Sequence, residues 1–520
     1  MLDIKSKISA FKWPLFLAGV LIALRIPALI HPVLDVDEAI YGLFSRVWFD
    51  GGVPYVDCVE TKPLGIYFFY GAIFSIFGRF NMIAVHAVTI AVVGGTAYVI
   101  YLIANSLYDR RAGFWAALFY IVFSTTYIPK YIATTIEPVM LLSVALQFWL
   151  WIRFEREGRG WWAFGSGLAF GISCLFKYQA GMNLIILMAY LGIAKPILAH
   201  ERPEIEHWRG FARFIAGSLL PPLLMIAYLY RAGALDGFWF WNIRGSLEYV
   251  REGSASIGLV HQLLTRVMPY IASTALIWVL AIYGTIALYR NTRHETRDFA
   301  HEWLIVLWLI LSFVPVSAGH RFYGHYFLLL VPPMSILAAP VAARIWADKS
   351  QKWSRRAILK WIILPAVGFT VARFFIPQIN RAAGEDNLDD YRPIAAYVAS
   401  QTAPADRVVA WGYAPLIYWY SERLPATRFF WSDALTGRVP GLKGGIPSET
   451  AAYVNPVAWE MFMEDIRRHR PAYIIDTSPS GLHDYQYYPI LAYSRLMEYI
   501  EGHYRGETTI SGAVFYRRRD

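Results

Sequence analysis

Apolar stretches close to the roughly 20 residues that cross about 30 Å of hydrocarbon recur along the whole first three quarters of this 520-residue chain. They fall near 13–30, 82–106, 113–129, 134–152, 161–177, 179–194, 212–230, 268–289, 303–317, 326–343 and 359–378. Backbone inside hydrocarbon must satisfy its own hydrogen bonds, and runs of this length do so as helices. Eleven transmembrane helices are therefore expected, and 57% hydrophobic with 17% aromatic residues excludes a soluble globular chain of this size. Lys5, Lys7 and Lys12 precede a first run that continues to Ile30 without a small-residue cleavage site. That run reads as a retained span, not a signal peptide.

The formal charge of +10 does not point to nucleic acid, because Lys and Arg sit in short clusters between the apolar runs. With the N-terminus inside, the inner segments carry 21 Lys and Arg and the outer ones nine. By the positive-inside bias the chain is N-in, and an odd span count leaves everything after about residue 380 outside. That tail has more charge. Short β-branched runs at 407–411, 472–476 and 508–516 alternate there with helical patterns at 390–400, 459–469 and 488–499. We expect a membrane domain over 1–379, with a first outer loop at 31–81, followed by an extracytoplasmic α/β domain over 380–520. Cys58 and Cys174 form neither a metal pair nor a disulfide framework.

The first outer loop is the least ordinary stretch. Between 35 and 64 it holds Asp35, Asp37, Glu38, Asp50, Asp57 and Glu60 against only Arg46 and Lys62, and Gly51, Gly52, Pro54 and Pro63 make it turn repeatedly. The apolar piece 64–77 is short for a span. It is expected along the outer membrane face with Tyr67, Phe68, Phe69 and Tyr70 at headgroup level. Other outer helix ends also carry polar groups: Glu137 opening the fourth run, Lys177, Tyr178 and Gln179 after the fifth, and Arg321, Tyr323, His325 and Tyr326 before the tenth. Ionisable groups near membrane depth are costly and face a cavity or a partner, so several loops are expected to line one outer cavity. Each group also has a plainer use. Asp37 and Glu38 suit a helix N-terminus, Glu137 can start a helix, Lys62 and Lys177 can snorkel to headgroups, and Arg321 with His325 can meet lipid phosphate. Asp35 and Asp37 have a spacing able to hold a hard cation, but no metal or other cofactor is predicted. The aromatic run Phe238 to Trp241 is expected at the interface.

At these residues the chain resembles the GT-C glycosyltransferases of the protein O-mannosyltransferase and lipid A aminoarabinose transferase type. The resemblance rests on DVDEAIYG, ETKPLGIYFFY, TTIEPVM, CLFKYQAG and GHRFYGHYFLLLVPP, in that order over about the first 340 residues. It implies a GT-C fold, a polyprenyl-phosphate sugar donor, and a lipid or glycan acceptor on the outer face of a bacterial inner membrane, with inversion at the anomeric carbon. By the same resemblance Asp37 matches the catalytic carboxylate, with Glu38 its nearest competitor and Glu137 a second acidic position. Glu60 and Lys62 match an acid-base neighbourhood near the donor phosphate, and Arg321 is carried over beside them. The candidate donor-phosphate contacts are Lys62, Lys177 and Arg321, and the candidate substrate contacts Glu60, Tyr41, Tyr178, Gln179, Tyr323, His325 and Tyr326. The loop closes on Lys-Pro-Leu where Lys-Pro-Pro is commoner, and a trefoil insertion is missing, which weighs against a protein acceptor. Two alternatives stay open: a protein O-glycosyltransferase of the same fold, and a transporter of polyprenyl-linked sugars. Transporters place polar groups near the midplane of repeated halves, whereas here they gather at one face.

Overall fold

The computed structural model describes residues 2–126, 129–198, 204–256, 258–290, 299–347, 390–439 and 450–519, with isolated positions between 365 and 388. Among these, seven helices are long and apolar enough to cross a membrane: Lys12–Ile30, Met82–Leu107, Ile136–Glu157, Tyr178–Ile197, Ile205–Arg231, Phe299–His320 and Gly324–Trp346. An eighth is reached if Leu259–Ser273 and Ala275–Arg290, bent by 78° at their junction, form one broken span. The remaining expected runs differ for local reasons. The run at 113–129 is helical only to Phe123, where Ser124 caps it, and that at 161–177 is a 17-residue helix. The run at 359–378 lies outside the described residues.

We label the helices that position the site α1 (Leu2–Ile30), α2 (Val36–Phe49), α3 (Gly65–Phe77), α4 (Met82–Leu107), α5 (Arg110–Phe123), α6 (Ile136–Glu157), α7 (Gly160–Phe176), α8 (Met182–Ala189) and α9 (Ile205–Arg231). In lipid, close backbone approach through small residues replaces the hydrophobic drive between helices. The α7 and α9 pair shows it: a Cβ on Gly167 or Gly171 would run into the carbonyls of Phe214 and Ser218.

The loop between α1 and α4 folds inward. Tyr67 and Tyr70 of α3 are fully buried, and only Phe68 of the four aromatics expected at headgroup level is mainly exposed. Because α3 is apolar on every side, its sequence gave no indication which face would be covered. The run 238–241 is likewise divided. Trp239 is exposed, while Phe238 packs on Tyr55 and Trp241 on Phe429.

The C-terminal part has a four-stranded sheet in the order β1-β2-β4-β3, from β1 (Val408–Trp411), β2 (Tyr473–Asp476), β3 (Tyr504–Ile510) and β4 (Ala513–Arg518). β1 and β2 are parallel, and β4 is antiparallel to both its neighbours. The single strand expected at 508–516 is thus a hairpin. Ser511 and Gly512 both take positive φ, 48° and 82°, as a two-residue hairpin turn requires. The helix expected at 488–499 begins later, at Ser494, after the short turn Ile490–Ala492. This part docks on the membrane part through the helix Pro415–Ser421. The ring of Trp419 lies on Gly42 of α2, where any Cβ would collide with it, and meets Phe74 and Phe80 at centroid distances of 6.0 and 4.9 Å. The Val59 amide also donates to Arg428 O at 3.0 Å.

Candidate active site

Asp35 caps α2, its side chain accepting from the Asp37 amide at 3.0 Å. This puts Asp37 and Glu38 in the first turn, where the helix dipole favours negative charge. Successive helical residues point about 100° apart, and here the two carboxylates go opposite ways. Glu38 turns inward and is completely buried. Its oxygens accept from the Leu34 amide at 2.7 Å and the Thr134 amide at 2.6 Å, and lie 2.8 Å from His86 Nε2. His86 Nδ1 in turn contacts the Ala28 carbonyl. Glu38 therefore joins α1, α2, α4 and the approach to α6, and no substrate-facing position is left to it.

Asp37 turns outward and keeps about 20% of its side chain exposed, as does Asp35. Both accept from one ammonium, Lys130 Nζ, at 2.7 and 2.8 Å. Lys130 carried no sequence argument; it comes from the short turn Pro129–Tyr131. The pair with Asp-x-Asp spacing is thus neutralised in part by a lysine. Burial opposes ionisation of Asp37, but Lys130, with Lys62 and His325 behind it, outweighs burial and holds this carboxyl below the usual range. Asp35 moves the other way, pushed up to about 6 by burial, against Lys130 and with the adjacent Asp37 charge.

Two further acid–lysine pairs lie nearby. Glu60 accepts from Lys62 Nζ at 2.9 and 3.0 Å, from the Lys62 amide at 3.1 Å and from Tyr67 OH at 2.7 Å. The Lys62 ammonium sits 5.6 Å from the Tyr41 ring centroid, folded back into the protein. Tyr41 was expected to touch substrate, but it is buried edge-on to Tyr67 and Tyr70 and makes the floor under Lys62. Glu137, in the first turn of α6, accepts from Lys177 Nζ at 2.7 Å, and that ammonium lies 4.0 Å above the Tyr326 ring. His325 meets Tyr326 at 4.7 Å and stacks at 5.8 Å on Tyr323; its buried Nδ1 has no partner among the described residues. These groups gather around Tyr41, whose ring Lys62 covers. The Tyr41 hydroxyl is raised well above its ordinary value by burial and then by the charges of Asp37 and Glu60, the Tyr67 hydroxyl and the charge of Glu137.

Of the remaining expected residues, Arg321 meets this group through Tyr249, which is hydrogen-bonded to Tyr326, while Tyr178 and Gln179 turn to other segments. Arg321 is buried against the segment Gly245–Ser256, donating to Tyr249 O at 3.2 Å with its guanidinium 3.9 Å above the Tyr249 ring and 4.0 Å from Glu252. The backbone around it is strained, with positive φ at Gly319, His320 and Phe322; non-glycine residues hold such angles only where their surroundings impose them. Tyr178 OH donates to Asn242, and Gln179 Nε2 donates to Pro315 O at 2.8 Å. Both tie separate segments of the chain together and do not join the carboxylates. A cavity of about 200 Å³ between 47–57 and the C-terminal part, lined by Arg407, Arg428 and Asp465 among others, shares no lining residue with the carboxylate cluster.

Residues 61–208 match the family model described as dolichyl-phosphate-mannose-protein mannosyltransferase. Among curated proteins none matches the chain in sequence. Among solved structures, the chain is similar to ArnT from Cupriavidus metallidurans bound to undecaprenyl phosphate, at 14% identity over 97% of each chain with a TM-score of 0.63. The apo form of that protein gives 0.60 at 14% identity over 98% of each chain. The oligosaccharyltransferase AglB from Archaeoglobus fulgidus, in complex with an inhibitory peptide and a dolichol-phosphate, matches at 13% identity over 99% of this chain and 75% of that one, with a TM-score of 0.58.

Proposed function

We propose that this chain, a multi-pass membrane protein of the GT-C fold, is a glycosyltransferase that moves a sugar from a polyprenyl-phosphate donor to a hydroxyl of a lipid or glycan acceptor. The observation that carries the reading is the gathering of three acid–lysine pairs, Asp37 with Lys130, Glu60 with Lys62 and Glu137 with Lys177, around Tyr41 of α2. Two of the three similar structures hold a polyprenyl phosphate, undecaprenyl in one and dolichol in the other.

The chemistry needs two things of the protein. Asp37 takes the proton of the acceptor hydroxyl as general base; the oxygen attacks the anomeric carbon from the face opposite the phosphate, and the carbon–oxygen bond to phosphate breaks with inversion. The lipid phosphate departs with the bonding pair, and fixed cations stabilise the charge that develops on it. Lys62 and Lys177 take this part in the reading, and Arg321 stands further off on Tyr249. Lys130 weakens Asp37 as a base while it donates to it. Glu38 positions the helix that carries Asp37. The test is consumption of one member of a panel of polyprenyl-phosphate sugars by the purified protein in the presence of lipid and glycan acceptors. Consumption of none, or transfer of label mainly to secreted protein in intact membranes, overturns this reading or its acceptor.

Three expectations follow from particular residues. Lys62→Met keeps the aliphatic stem and removes the charge, so donor KM should rise or turnover fall in a protein that still assembles. Unchanged kinetics would leave this lysine only its bond to Glu60. Turnover should also decline as pH falls through about 6, because protonating Asp35 leaves Asp37 the only anionic partner of Lys130 and thus a weaker base. A pH profile of Asp35→Asn that lacks this limb would confirm the origin; one identical to wild type would refute it. For orientation, cysteines placed beside Asp57 and Gly481 in a cysteine-free background should both react with an impermeant thiol reagent added outside. Labelling only from the cytoplasmic side would reverse the topology.

A further inference from the structure

The C-terminal part has a polar cluster of its own. Asp433 is buried and accepts from Tyr485 OH at 2.7 Å and from Arg438 Nη1 at 3.2 and 3.4 Å. Among the described residues, every hydrogen bond from this guanidinium leaves from Nη1. Its carbon lies over two phenol rings, 5.5 Å from the Tyr413 centroid and 5.6 Å from that of Tyr485. His483 meets Tyr413 edge-on at 5.1 Å, and it and Asp484 hold consecutive positive φ values of 52° and 63°. Two adjacent strained residues persist only where the surroundings impose them.

Tyr413 connects this cluster to the carboxylates of the first loop. It lies two residues after β1 and two before the helix Pro415–Ser421, whose Trp419 sits on Gly42 of α2, the helix that carries Asp37. Its phenol is held well above the ordinary value by burial and then by the carboxylates of Asp37, Asp433 and Asp35. From the membrane part, Glu252 lies 4.0 Å from Arg321, and the charge of Asp433 acts on its carboxyl. A network that merely tied loops together would have no reason to stand beside the proposed base.

The chemistry of the cluster selects its ligand. Asp433 matches the charge of Arg438, so little net charge remains to favour a phosphate. Tyr485 is fully buried and Asp433 nearly so, so what the cluster presents is the partly exposed Tyr413 phenol and the unspent part of the Arg438 guanidinium fork held by Asp433, which together suit a neutral polyhydroxylated molecule. We propose that Tyr413 and Arg438, held in place by the buried Asp433 and Tyr485, form a carbohydrate-binding subsite that holds a sugar ring of the acceptor beside the hydroxyl to be glycosylated. The inference rests on the transferase reading and names the acceptor class within it. The donor, whose phosphate needs the lysines, occupies the membrane side; the acceptor glycan enters beneath the C-terminal part.

The test uses the full-length protein in detergent and saturation-transfer NMR with a panel of free neutral oligosaccharides, and glucose 1-phosphate as an anionic probe. At least one neutral oligosaccharide should receive saturation from wild type and from Asp37→Asn. Its affinity should fall roughly tenfold in Arg438→Gln, the scale of one lost charge-assisted hydrogen bond, and also in Tyr413→Ala, with thermal unfolding unchanged in at least one of the two. Donor KM should stay at its wild-type value in both. Equal binding in wild type and Arg438→Gln overturns the subsite, as does binding of no neutral oligosaccharide, a preference for the phosphate probe, or a rise in donor KM. Donor consumption is measured separately on the same preparations, so a failure of the transferase reading is seen there and not in the binding.

Discussion

Asp37→Asn should lower single-turnover sugar transfer by roughly 10² to 10⁴, the range for losing a general base, in a protein that stays folded and monodisperse. The expectation joins three observations. Asp37 keeps part of its side chain exposed while Glu38 is sealed. It lies one turn before Tyr41 on α2, and Lys62, the partner of Glu60, folds over that same ring. Its partner is a lysine, and the substitution retains the shape and one acceptor oxygen for that lysine. Glu137→Gln provides the comparison. Should Asp37→Asn keep more than about a tenth of wild-type turnover while Glu137→Gln is inactive, the base is Glu137.

Glu38→Gln should instead act on stability. The carboxylate accepts two backbone N–H groups and contacts an imidazole in a site with no water access. An amide has one acceptor oxygen, so its NH₂ is turned on a group that is itself a donor. A buried group left unsatisfied costs about 1–3 kcal/mol, and more where a charge was involved. The measurement is thermal unfolding of purified Glu38→Gln beside His86→Gln, with transfer scored per folded molecule. Both variants should unfold earlier and neither should match the catalytic loss of Asp37→Asn. A variant of full stability and no activity would return Glu38 to the chemistry.

The membrane part and the acidic loop were legible because both are local: run length marks a span, and turn residues with surplus charge mark a loop that is not a plain connection. Pairings across the chain were not. Lys130 meets residues 93 and 95 positions away, and nothing in the short segment around it distinguishes it from a topology lysine. His86 lies in an apolar run, where a single histidine gives no sign that it will meet Glu38. Tyr178 and Gln179 follow Lys177 in sequence, yet a short 3-10 turn rotates them away from it. The hairpin at 511–512 had a local signal, the Ser-Gly pair, hidden because the β-branched pattern continues across it.

The contact of Trp419 with Gly42 has a consequence for how such a protein can change over time. Position 42 accepts no side chain while that indole is in place, and the indole has no seat once the position is filled. The two halves are therefore inherited as a matched pair. A C-terminal part borrowed from a relative would have to bring its own version of the first outer loop, so new acceptor preferences are most easily acquired by exchanging both segments together.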